Sequence, residues 1–252
     1  MIERALNDGD FEEKEVSYPV EQEVAEYIGV LDYIRFPDRH FQEGPDRVSE
    51  ACRHELSHGI MADAYILYPA WTHIWDLMGS HSLHKVSEHR DVAWAEAWAE
   101  FLAEVTQFLR YGQLHNDFES NDASWRSKIP AGADHSYVEG EIAGALWDIF
   151  DGVGWEKRYE QVPEVPGEEK FYDGIADPNL SKIWHIFKTF RPYGFTHVRY
   201  LGQPDNFVWY WLNRTGFGQR HELKAILYNR GIRVPELPQH PPSVTITNAV
   251  WQ

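Results

Sequence analysis

The chain has one cysteine, Cys52, among 252 residues. No internal disulfide can staple it, so its core must hold it together, and a reducing compartment is compatible with it. It has no apolar run of about 18 residues, the length that reads as a membrane-crossing helix. Its first twenty residues, MIERALNDGDFEEKEVSYPV, lack the basic start and apolar stretch of a secretory signal. The chain is therefore expected to be soluble, either cytoplasmic as written or the mature part of an exported enzyme. Basic charge is scarce. Lys and Arg number 23 against 40 Asp and Glu, a net charge of −17 that repels phosphate backbones and anionic lipid surfaces. Nucleic acid and membrane are set aside as partners on that ground, and most of the acidic excess reads as solubility.

Apolar material is plentiful by contrast. Hydrophobic residues make up 43% of the chain and aromatics 15%, enough for a sizeable core. Residues 27–37, YIGVLDYIRFP, mix β-branched and aromatic side chains and stop at Pro37, the pattern of a strand pair or one kinked strand. From Asp46 onward Val48, Cys52, Leu56, Ile60 and Ala64 recur every four residues, which predicts an amphipathic helix over 46–66. Residues 67–91 hold Pro69, Gly79, His73, His81, His84 and His89 and read as an insertion or long loop. Residues 92–111 carry the clearest helical period, and SYVEGEIAGALWDIFDG after them is apolar on nearly every side, the mark of a buried helix. The Pro- and Gly-rich stretch from 154 to 180 is a candidate boundary, followed by helices near 180–190, 205–213 and 219–230, the last capped by Gly231.

The chemistry is concentrated in CRHELSHGIM, residues 52–61. On a helix, positions four apart lie one above the other, so His54 and His58 can offer two imidazole nitrogens to one metal ion. Glu55 sits about 100° round the helix, placed to take a proton from water as general base. Catalytic zinc takes three protein ligands and keeps one position open. The helix over 92–111 supplies an acid, because Glu96, Glu100 and Glu104 stand at i, i+4 and i+8 with no Lys or Arg spaced to relieve them. A dication beside Glu96 would offset that repulsion, with Glu100 accepting the free N–H of a ligating histidine. Taken alone, the three acids read rather as a water-facing stripe opposite the Trp94, Trp98 and Phe101 face; the HExxH upstream reverses that preference. The acidic segment NDFESND, 116–122, offers clustered oxygens that could suit Ca2+.

Three blocks in order, HELSHG, AEAWAEF and GEIAGALWDIFD, resemble the gluzincin zinc metallopeptidases, in particular the thermolysin-like and fungalysin-like branches. The resemblance spans about residues 54–151. It implies one catalytic Zn2+ held by His54, His58 and Glu96, with Glu55 activating water and Glu100 orienting His54. Two departures stand out: Ala97 occupies the position of a family glycine, and the interval from His58 to Glu96 is longer than in the family. Acyl hydrolysis also needs a donor for the oxyanion. The family places a histidine where this chain has Tyr137, so His135 and Tyr137 are the candidates, with Tyr65, Tyr68 and His197 in reserve.

The expected fold is α+β and mainly helical, a zincin-like two-lobed metallopeptidase with a small N-terminal sheet and a helical C-terminal lobe. Residues 1–152 would form the lobe bearing the HExxH and glutamate helices and 153–252 the second lobe, together one catalytic unit. DYIRFP would be an exposed edge to which a peptide adds as a strand, and Trp184, Trp209 and Trp211 would lie in the second wall or, more ordinarily, in the core. The expected activity is zinc-dependent endopeptidase action on a peptide or protein substrate. Two alternatives remain: a non-proteolytic HExxH metalloenzyme, possibly with iron, that modifies a peptide, and a metal-binding module without catalysis.

Overall fold

The computed structural model describes residues 15–20, 26–28, 33–37, 44–64, 82–112, 116, 118, 124–159, 180–189, 204–213 and 219–233. Three short strands come first, β1 (Glu15–Val20), β2 (Glu26–Ile28) and β3 (Tyr33–Pro37). Six helices follow: α1 (Pro45–Ala64), α2 (Arg90–Tyr111), α3 (Glu139–Tyr159), α4 (Leu180–Thr189), α5 (Pro204–Asn213) and α6 (Arg220–Asn229).

The expected two-lobed α+β fold with an N-terminal sheet is corrected by this architecture. Among the residues described with their side chains, 76% are helical and none lies in a strand. Among these residues the core is built chiefly from helix against helix. The physical reason lies in the density of apolar side chains along the helices. A helix buried on most of its circumference needs neighbours on several sides, and here other helices supply them. Residue 27–37 chemistry does give β2 and β3 as an antiparallel pair, but the strand order is β1-β3-β2. DYIRFP is therefore the middle of three strands, hydrogen-bonded on both sides, and presents no free edge to a peptide.

Helix α2 is the centre of the molecule. Ala93, Ala95, Ala97 and Ala99 are all fully buried along it, and such small side chains let neighbouring backbones come close. Between them Trp94, Trp98 and Phe101 carry the large apolar surface. Trp98 packs at a tilt against Phe187 of α4, ring centroids 3.9 Å apart, and Trp94 stacks on Phe187 and meets Phe207. Phe101 packs edge-on against Phe150 of α3, which in turn meets Trp147. Trp184 and Trp211 are core residues; the side chain of Trp209 lies outside those described. Burying one such side chain contributes about 1.5 to 3 kcal/mol. The Trp98 indole also donates to the Ser57 carbonyl at 3.1 Å, which fixes how α1 lies on α2.

Helix α3 begins later than its apolar pattern suggests, after a 3-10 turn at His135–Tyr137, and runs on to Tyr159 through a stretch expected to be a connection. Its far side takes a buried ion pair. Arg230, at the end of α6, donates from Nε to Asp148 Oδ2 at 2.7 Å and from Nη2 to Asp148 Oδ1, while Nη1 donates to the Phe118 carbonyl at 2.8 Å. Both side chains are wholly buried. Gly144 makes room for the guanidinium, since a Cβ there would lie 2.7 Å from Arg230 Cζ. Gly231 then turns the chain at φ 70°, hard against the His135 ring, a backbone conformation that favours glycine. No described helix is long and apolar enough to cross a membrane.

Removing one partner of a buried ion pair leaves the other charge uncompensated, at about 3 to 5 kcal/mol. Asp148→Ala is therefore expected to lower unfolding free energy by about that amount in urea denaturation. A loss below about 1 kcal/mol, the level of an exposed pair, would show that Arg230 finds another partner.

Candidate metal centre

Helices α1 and α2 bring the chemistry together. Pro45 opens α1 and Asp46 stands in its first turn, where a fixed φ and a negative charge both favour the helix start. Nine and thirteen residues on, His54 and His58 leave the same face toward α2. Their rings meet edge-on, centroids 4.8 Å apart. Glu96 comes from the opposite helix, almost completely buried.

Three atoms converge there. His54 Nε2 lies 3.1 Å from His58 Nε2 and 3.2 Å from Glu96 Oε2, and His58 Nε2 lies 3.4 Å from the same oxygen. An ion that holds nitrogen and oxygen at about 2.0 to 2.1 Å with tetrahedral angles needs its ligand atoms about 3.3 to 3.4 Å apart. The edges of the triangle, 3.1, 3.2 and 3.4 Å, come within about 0.3 Å of that spacing. Two imidazole nitrogens and one carboxylate oxygen are also the donor set of catalytic zinc, and they leave a fourth position to be filled. His54, His58 and Glu96 form the metal-competent group among the described residues. The residues present fit the ion.

The surroundings favour positive charge at the centre. Burial acts against a charged His54, but the carboxylates of Glu100, Glu96 and Glu55 outweigh it and hold its pKa well above the ordinary histidine value. Glu100 Oε1 lies 3.2 Å from His54 Nδ1, so this carboxylate accepts the Nδ1 proton and leaves Nε2 turned to the centre. Cys52, one turn before Glu55, is pushed up by burial and by the Glu55 carboxylate, which keeps its thiol protonated and out of the ligand set. Glu55 itself is buried beside His54, 7% exposed.

The three glutamates of α2 do not form a water-facing stripe. Glu96 and Glu104 are buried, and each acid has its own partners. Glu96 meets the two histidines, Glu100 meets His54, and Glu104 Oε1 accepts the Asn116 backbone N–H and side-chain Nδ2, both at 2.9 Å. Asn116 had no signal of its own in the sequence beyond membership of the acidic segment 116–122. Apart from Asn116 and Phe118, that candidate Ca2+ segment lies outside the described residues, as do Tyr65, Tyr68, His73, His81 and His197.

The structure brings His54, His58, Glu96 and Glu100 together, with Glu55 next to His54 in sequence. His135 and Tyr137 have their described contacts elsewhere. His135 Nδ1 lies 2.8 Å from the Arg230 carbonyl and 3.6 Å from Glu141 Oε1, and the Tyr137 ring lies under the Arg90 guanidinium, 5.7 Å from its centroid. The third sequence block, GEIAGALWDIFD, serves packing in this structure. A Cβ at Gly140 would lie 2.7 Å from the Leu83 carbonyl, Gly144 admits Arg230, and Asp148 binds it. Glu141 is buried against Arg126, 3.0 Å away, and burial raises its pKa against the pull of that guanidinium.

No protein-family model, curated protein or solved structure matches the chain. The geometry of the cluster carries the functional reading on its own.

Purified protein is expected to carry one zinc per chain by plasma mass spectrometry. Glu96→Gln keeps the shape but offers a poor ligand, and should weaken zinc binding about 100-fold or more, beyond the range usual for outer partners. Undiminished binding would remove Glu96 from the ligand set.

Proposed function

We propose that the protein is a zinc-dependent endopeptidase of the gluzincin kind, hydrolysing peptide bonds with Glu55 as general base. The observation that carries this reading is the near-equilateral triangle of His54 Nε2, His58 Nε2 and Glu96 Oε2, with Glu55 one residue from the first ligand. Bound there, zinc would supply Lewis acidity, polarising the scissile carbonyl and acidifying a water.

The protein's own residues do the rest. His54, His58 and Glu96 offer three ligand atoms and leave one direction open, which is what distinguishes a catalytic from a structural site. Glu100 fixes the His54 ring by accepting its Nδ1 proton. Glu55, on the same helix as both histidines, takes the proton of the attacking water and returns it to the departing amine. The substrate class follows from the donor set and this base. A peptide carbonyl is an electrophile that needs polarisation and a nucleophile that needs deprotonation, and both are offered within one turn of α1.

General base catalysis contributes about 10²- to 10⁴-fold in rate. Glu55→Gln should therefore lose about that factor in kcat/KM on a quenched fluorescent peptide library, with zinc content unchanged. Full activity in this variant would defeat the proposed mechanism. A metal content of iron in place of zinc, with turnover that depends on oxygen, would reassign the same ligands to oxidative chemistry.

A further inference from the structure

We infer that Asn116 is a positioning residue for the metal centre, acting through Glu100 on His54. This rests on the metal-binding reading of His54, His58 and Glu96. Glu100 presents its two carboxylate oxygens to two partners. Oε1 lies 3.2 Å from His54 Nδ1, and Oε2 accepts from Asn116 Nδ2 at 3.3 Å. The last torsion of a glutamate side chain is broad, so a single hydrogen bond would let the carboxylate swing about its axis. A donor on each oxygen fixes its plane, and with it the direction in which His54 Nε2 points.

Asparagine is suited to this position. Its side-chain nitrogen carries two hydrogens, and they reach two carboxylates one turn apart on α2: Glu100 Oε2, and Glu104 Oε1 at 2.9 Å. Glu104 also accepts the Asn116 backbone N–H at 2.9 Å, a contact that survives any substitution of the side chain. Being neutral, the amide satisfies both acids without adding a second cation near the ligands. Two residues on, Phe118 is buried and its carbonyl accepts from Arg230 Nη1 at 2.8 Å. The wholly buried Arg230–Asp148 pair thereby anchors the segment that carries Asn116.

The test is zinc affinity, by competition with a chromophoric chelator, together with the visible spectrum of the Co2+-loaded protein. Asn116→Ala should weaken zinc binding about 10-fold, the low end of the effect of outer partners, and alter the Co2+ bands, while the metal-free protein remains folded. Because the effect runs through Glu100, adding Asn116→Ala to Glu100→Ala should weaken binding no further. Asn116→Asp, equal in shape but unable to donate, should weaken binding at least as much, and serves where the alanine variant does not fold. Zinc affinity and Co2+ bands unchanged in Asn116→Ala, additive losses in the double variant, or failure of both variants to fold would overturn the inference. Wild-type protein that binds neither ion would overturn the metal-centre reading itself, a result distinct from these.

Discussion

Three carboxylates in a row on a helix buried along most of its length are the constraint from which the rest follows. Glu96, Glu100 and Glu104 repeat at four-residue spacing on α2, where the neighbours are alanine and tryptophan. Like charges at that spacing repel, and in a poorly polarisable surrounding the repulsion is stronger than in water. Such an arrangement persists only if each acid is matched. The matching partners come from α1, which supplies two imidazoles, and from Asn116, which supplies two N–H groups. A cation among the imidazoles and Glu96 would complete the compensation. The alanines of α2 serve the same end, because they let α1 lie close enough for His54 and His58 to reach.

Support for this arrangement extends well beyond the ligands. The Trp98 indole holds the Ser57 carbonyl, between the two histidines in sequence, so the packing of the aromatic core and the aim of the imidazoles are one structural fact. On the other flank Arg230, at the end of α6, ties the middle of α3 to the segment bearing Asn116 and Phe118. Gly144 matters because it admits the Arg230 guanidinium.

The helices were legible because each carries its own period. The apolar repeat at Val48, Cys52 and Leu56 places α1 within a residue or two of its observed ends, and Trp94, Trp98 and Phe101 do the same for α2. The two histidines and Glu96 were legible because helical spacing and uncompensated charge are local properties of sequence. The fold class was misread, since β-branched and aromatic residues at 27–37 suggested a lobe built on a sheet. They form short strands, while the core is assembled by helices whose partners lie far apart in the chain. Long-range partners explain the other omissions. Asn116 lies twelve residues beyond Glu104 in a polar stretch, and Arg230 is 82 residues from Asp148; no local pattern announces either contact. His135 and Tyr137 came from a positional likeness to the gluzincins; His135 lies against the end of α6 and the Tyr137 ring against Arg90.

The most direct measurement of the central claim is anomalous diffraction at the zinc absorption edge from crystals of the purified protein. The account requires one peak about 2.0 to 2.1 Å from His54 Nε2, His58 Nε2 and a Glu96 oxygen together. A zinc peak elsewhere, or these three side chains pointing away from one another with no ion between them, would contradict it.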